Sequence, residues 1–165
     1  MYLISIDNNN GERILKNEPS VKIILENIID SFEYYTLKAF SRTGVNFQIK
    51  RTKLMTHSYY VIICNNNGEY HTLSFYGTKM AFYSEGAWAY DADSDISSYR
   101  SYLEGNNEWD VVEMFQGETI NTRETLRNIV NKINSGITYY YNDHIINKPG
   151  VDNCNTALYE TIVRE

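Results

Sequence analysis

At 165 residues with 42% hydrophobic side chains, the chain is long enough to bury one sizeable core and most simply folds as a single domain spanning 1–165. Its 21 acidic residues against 15 basic ones give a net charge of −6, which argues against a protein that tracks nucleic-acid phosphates. No run of about 18 apolar residues is present to cross a membrane.

The first residues, Met1 to Asp7, lack the basic head and long apolar stretch of a Sec signal peptide. The location this implies is the cytoplasm or delivery by a specialised secretion machine. Residues 2–6 read as a short strand and the polar run Asp7 to Glu12 as a turn. Pro19-Ser20 opens a helix whose Ile24, Leu25, Ile28, Ile29 and Phe32 recur at helical spacing. Tyr35–Ser41 and Asn46–Leu54 are rich in β-branched and aromatic residues and read as strands about a Thr43-Gly44 turn.

The clearest hairpin follows. His57 to Cys64 is an apolar strand, Asn65-Asn66-Asn67-Gly68 a turn that supplies positive φ, and Glu69 to Tyr76 the return strand. Met80–Tyr83 adds another strand. Asp91, Asp93 and Asp95 alternate like the start of a calcium loop, but loop position six is Ile96 where glycine is needed and position twelve is Tyr102 where glutamate is needed. A solvated acidic loop is expected there. Glu108–Phe115 reads as a strand. Asn121-Thr122-Arg123-Glu124 forms a capping box for a helix that buries Leu126, Ile129, Val130 and Ile133 and stops at Ser135-Gly136. A tyrosine run, Tyr139-Tyr140-Tyr141, and a polar loop lead to Asp152-Asn153-Cys154-Asn155-Thr156, where Asn153 can cap a last short helix.

That cap places Cys154 in a first turn, where unpaired backbone N–H groups and the helix dipole favour thiolate. The plainer reading is a small buried core residue, as most free cysteines are. Two cysteines allow one disulfide, but Cys64 ends a strand and Cys154 starts a helix, so reduced thiols are expected. A thiol nucleophile needs a base to take its proton. Of three histidines, His144 sits in a polar loop, His71 lies mid-strand, and His57 opens an apolar strand that can hold a ring rigidly. Counting across the four-residue turn pairs 64 with 69 and sets His57 opposite Tyr76. Ser74 then shares the face of His57, and His71 takes the other face unless a bulge reverses it.

Thr56-His57-Ser58-Tyr59-Tyr60-Val61, Asn67-Gly68-Glu69, Leu73-Ser74-Phe75-Tyr76-Gly77 and Asp152-Asn153-Cys154-Asn155-Thr156, in that order, resemble the circularly permuted branch of the NlpC-type papain-like superfamily. The resemblance covers roughly residues 56–160. It implies an α+β, papain-like fold, an antiparallel sheet against which the C-terminal nucleophile helix packs. Residues 51–165 would be the catalytic core and 1–50 an N-terminal helix and strand extension. Cys154 is then the nucleophile and His57 the base. A third polar residue on the following strand would be Ser74 or Tyr76, with His71 as the alternative. Tyr141 and the backbone N–H of Cys154 would serve the oxyanion. The implied chemistry needs no cofactor and no metal. It cleaves an amide in a peptide or peptidoglycan stem, as in a bacterial effector toxin with a cognate inhibitor or immunity protein. The rival expectations are a thiol acyltransferase on the same fold and a non-catalytic binding module with tyrosines at its interface.

Overall fold

The computed structural model describes residues 4–6, 12–14, 18–43, 56–76, 79–84, 87–89, 92–135 and 154–165, with side chains described at 21–43, 56–75, 94–135 and 154–165. Two short strands, β1 (Ile4–Ile6) and β2 (Glu12–Ile14), pair antiparallel with each other. Helix α1 (Glu18–Asp30) begins next to Pro19, which a first turn tolerates because its missing N–H has no helical partner. Its Val21, Leu25, Ile28 and Ile29 are buried at helical spacing. A single 3-10 turn leads into β3 (Tyr35–Thr43). Then come β4 (Thr56–Cys64), β5 (Tyr70–Tyr76), β6 (Lys79–Ser84), β7 (Ala87–Ala89), α2 (Ala92–Leu103), β8 (Val112–Met114), α3 (Thr122–Ser135) and α4 (Cys154–Thr161).

The main sheet has six strands in the order β7-β6-β5-β4-β3-β8, and every neighbouring pair is antiparallel. This is an α+β architecture. Alternation along the strands separates two cores. Leu37, Ala39, Tyr60, Ile62, Leu73 and Phe75 face α1, α3 and α4 on one side. Phe40, Tyr59 and Val61 face Tyr99 of α2 and Val111 on the other. Part of the expected N-terminal extension belongs to this core: β3 pairs with β4 from Tyr35–Cys64 to Thr43–Thr56, and α1 packs its buried face on the sheet. The expected strand Asn46–Leu54 lies outside the described residues.

The hairpin forms as its sequence dictates. Gly68 takes φ 77° and donates to the Cys64 carbonyl at 2.8 Å, while the Cys64 N–H donates to the Glu69 carbonyl at 2.8 Å. The register Ile63–Tyr70, Ile62–His71, Val61–Thr72, Tyr60–Leu73 is the one counted from the turn. Two expectations change. The acidic run is not a solvated loop: Asp93 and Asp95 lie in α2, and Asp95 is 1% exposed, because the helical spacing of Ile96 and Tyr99 turns its face toward the sheet. The strand expected over Glu108–Phe115 shrinks to Val112–Met114. Before it, Asn107 and Asp110 adopt positive φ, and the Asn107 side chain accepts from the Val111 N–H at 2.7 Å, making a turn.

Candidate active site

Cys154 is the first residue of α4, as expected from the sequence. With Ala157, Leu158 and Thr161 it forms the buried stripe of that helix, so the spacing that docks α4 also turns the sulfur inward. Two side chains fasten α4 to β4. The Tyr60 hydroxyl donates to the Leu158 carbonyl at 3.1 Å and pairs with Thr161 Oγ1 at 2.8 Å. The Asn155 amide donates to the Thr56 carbonyl at 3.2 Å and accepts a short hydrogen bond from the Ser58 hydroxyl. Asn155 thus grips β4 on both sides of His57.

By alternation His57 belongs to the α2 side of the sheet, whereas Cys154 arrives on a helix of the opposite side. They meet where the sheet opens. The N–H of Cys64 points toward β5, so the N–H groups of residues 62, 60 and 58 do too. The β4–β5 ladder ends at Tyr60–Leu73, one hydrogen-bonded pair before Ser58 would meet Phe75. The Ser58 N–H donates to the Cys154 sulfur instead. The nucleophile candidate is therefore met by a backbone donor of β4 just beyond the end of the β4–β5 ladder.

His57 is the ring partner of that sulfur, joined to it by charge and a hydrogen bond. Its Nε2 faces Asp95 Oδ1 at 3.1 Å, close enough for a charge contact although outside in-line hydrogen-bond geometry. That leaves Nδ1 for the sulfur. Asp95 Oδ1 also accepts from Arg42 Nε at 3.1 Å and Nη2 at 3.0 Å, and Oδ2 accepts from the Ser74 hydroxyl at 2.7 Å. Tyr59 stacks beside His57 with ring centroids 6.4 Å apart. Cys154, His57 and Asp95 are 1%, 5% and 1% exposed.

Burial opposes charge on all three groups, and in each case the neighbours overcome it. For His57, burial pushes the ring down, but the charges of Cys154 and then Asp95 outweigh burial and Arg42 together and raise it to about 9. For Asp95, burial pushes up, but the charges of His57 and Arg42 and the Ser74 hydroxyl hold the carboxyl down at about 2. For Cys154, burial pushes up, yet the His57 charge, its hydrogen bond and the Ser58 N–H bring the thiol below its usual range. The three shifts run together toward thiolate, imidazolium and carboxylate.

Of the expected site residues, Cys154, His57 and Ser74 come together. Ser74 reaches Asp95 and acts on His57 only through it. Tyr76 ends β5 paired with Lys79 of β6, beyond the end of the β4–β5 ladder, and its side chain is outside the described residues, as is Tyr141. His71 pairs with Ile62, on strand positions that alternate away from those of His57 and Ser74. The residue against Nε2 is Asp95, which sequence reasoning assigned to solvent. The available signal was the apolar pair Ile96 and Tyr99 beside it, which marks a buried helix face. Both cysteines are free. Comparison with family models, curated proteins and solved structures gave no match to this chain.

Proposed function

We propose that this chain is a cysteine-dependent amidase or peptidase of the permuted papain-like kind, with Cys154 as nucleophile, His57 as acid and base, and Asp95 orienting His57. The observation that carries this reading is the buried cluster in which His57 pairs with the Cys154 sulfur and sets its Nε2 3.1 Å from Asp95 Oδ1. A structural cysteine in an apolar core keeps its proton, whereas this one has a strand N–H and an imidazolium aimed at it.

In the reaction the thiolate attacks the substrate carbonyl carbon and a carbon–sulfur bond forms. The developing oxyanion is met by the Cys154 N–H at the start of α4, a group without a helical acceptor. The imidazolium of His57 passes its proton to the departing amine as the carbon–nitrogen bond breaks. The neutral ring then takes a proton from water, whose oxygen attacks the thioester, and the thiolate leaves. The acyl donor is a peptide or a peptidoglycan stem.

Incubation with a peptide library and with peptidoglycan fragments, followed by mass spectrometry, tests this. Hydrolysed amide products are expected, with a thioester adduct on Cys154 that Cys154→Ala abolishes and His57→Ala suppresses. An acyl chain passed to an added amine would indicate transfer. No product and no adduct, with Cys154 no more reactive than Cys64, would favour a binding module.

A further inference from the structure

Arg42 is one residue from the end of β3, directly across the ladder from His57, and is only 4% exposed. Burying a guanidinium is costly unless every donor is used. Here Nε and Nη2 both donate to Asp95 Oδ1, and Nη1 donates to the Thr43 carbonyl at 2.8 Å. The Trp109 ring lies 5.2 Å from Cζ. That ring is itself anchored, because the Thr43 N–H and hydroxyl each donate to the Trp109 carbonyl at 3.0 Å. The connection from α2 to β8 is thereby fastened over the end of β3, with the guanidinium beneath it.

The reactive state puts a thiolate, an imidazolium and a carboxylate into a nearly dry site, with a net charge of −1. In low dielectric the cheapest relief of an unbalanced negative charge is a proton. We propose that Arg42 is a positioning residue of the thiol reaction: its fork fixes the Asp95 carboxylate against His57, and its charge makes the buried cluster neutral, so that Cys154 and Asp95 are ionised together. This rests on the thiolate–imidazolium reading above, but its test reads ionisation and is independent of turnover. Among the described residues, the groups facing the cluster are Arg42 from β3, His57 and Tyr59 from β4, Ser74 from β5, Asp95 from α2 and Cys154 from α4. Tyr59 is kept protonated by burial and accepts from the Ser98 hydroxyl at 2.9 Å, so it adds no charge.

Removing Asp95 slides both ionisations to lower pH, since a negative neighbour is lost. Removing Arg42 slides both upward, and removing both restores the balance. The experiment is the pH dependence of Cys154 thiolate absorbance, measured as a difference against the matching Cys154→Ser protein, for Asp95→Asn, Arg42→Met, Arg42→Lys and the Arg42→Met/Asp95→Asn double variant. The expected order of acid midpoints is Asp95→Asn lowest, the original protein and the double variant together, and Arg42→Met highest, with roughly tenfold less thiolate on its acid limb. Arg42→Lys keeps the charge and stays near the original midpoint, while its flexible single ammonium loosens His57 and slows alkylation. A folded Arg42→Met protein with an unmoved midpoint would overturn the proposal. If Arg42→Met does not fold, the double variant decides: a midpoint matching the original supports charge balance, and one matching Asp95→Asn alone refutes it.

Discussion

Cys154 and His57 stabilise each other's charged forms, and the consequence is a window of pH in which both are ionised. His57 titrates at about 9 in the folded protein against an ordinary value of 6.5, so its contribution to stability is complete below the ordinary value and is lost as pH rises through 9. Asp95 runs the other way. Its carboxyl lies at about 2 against 3.8, so its contribution is present above the ordinary value and disappears as pH falls through 2. The lowered Cys154 thiol gains stability with pH over the same range and offsets this in denaturation. The readout is therefore the ring itself: followed by NMR shift against pH, the His57 proton should be lost near 9. In Cys154→Ser the largest charge raising His57 is gone, and that loss should move to lower pH; an unmoved midpoint would contradict the pairing. Cys154 and His57 were legible in the sequence because a capped cysteine and a strand-end histidine each have local signatures. Asp95 was not legible as their partner, since a carboxylate 38 positions from His57 carries no local mark of the strand it will face. Only the fold of α2 over β4 and β5 turns it inward.

Between the elements, the joint that matters is α4 against β4. Tyr60→Phe removes the hydroxyl shared by the Leu158 carbonyl and Thr161 and should cost about 1–2 kcal/mol, measured by denaturant titration. Asn155→Ala should cost a similar amount, because it releases the Thr56 carbonyl and the Ser58 hydroxyl together. It should also slow Cys154 alkylation, since Ser58 carries the N–H that reaches the sulfur. Equal stability loss with unchanged alkylation would separate the docking of α4 from the placing of its thiol. At α3 the Asn121 side chain accepts from the Glu124 N–H at 2.9 Å, and Asn121→Ala should cost about 1 kcal/mol. The cap and the Asn-Gly turn were readable because each is a short-range hydrogen-bond pattern that a few residues complete alone. The opening between β4 and β5 was not, because it depends on β5 leaving to follow β6 while β4 stays with β3, a choice made by strands distant in sequence.

Across the molecule, one antiparallel sheet separates a large apolar core from a smaller aromatic one, and the charged cluster sits at the end of the sheet where the two sides communicate. The composition foretold a large core, and several of the described tyrosines help to build it. Tyr59 and Tyr60 are wholly buried and Tyr99 nearly so, whereas Tyr34 and Tyr159 are the described tyrosines exposed by more than half. A tyrosine can line a core when its hydroxyl finds a partner, as Tyr59 does with Ser98 and Tyr60 with Thr161. Among the described residues no helix is long and apolar enough to cross a membrane. Leu126→Ala, in the large core at 0% exposure, should cost about 2–5 kcal/mol by denaturant titration while leaving the pH at which Cys154 ionises unchanged. A shift of that pH would mean that core packing, rather than the local charges, sets the thiolate.

The most direct test is the thiolate absorbance of Cys154 in the original chain and in His57→Ala, each measured against its own Cys154→Ser counterpart across neutral pH. It reads ionisation without asking a reagent to enter a buried site. A thiolate already formed well below the ordinary thiol range is expected in the original chain, and a return to thiol in His57→Ala. A protonated sulfur at neutral pH in both proteins would contradict it.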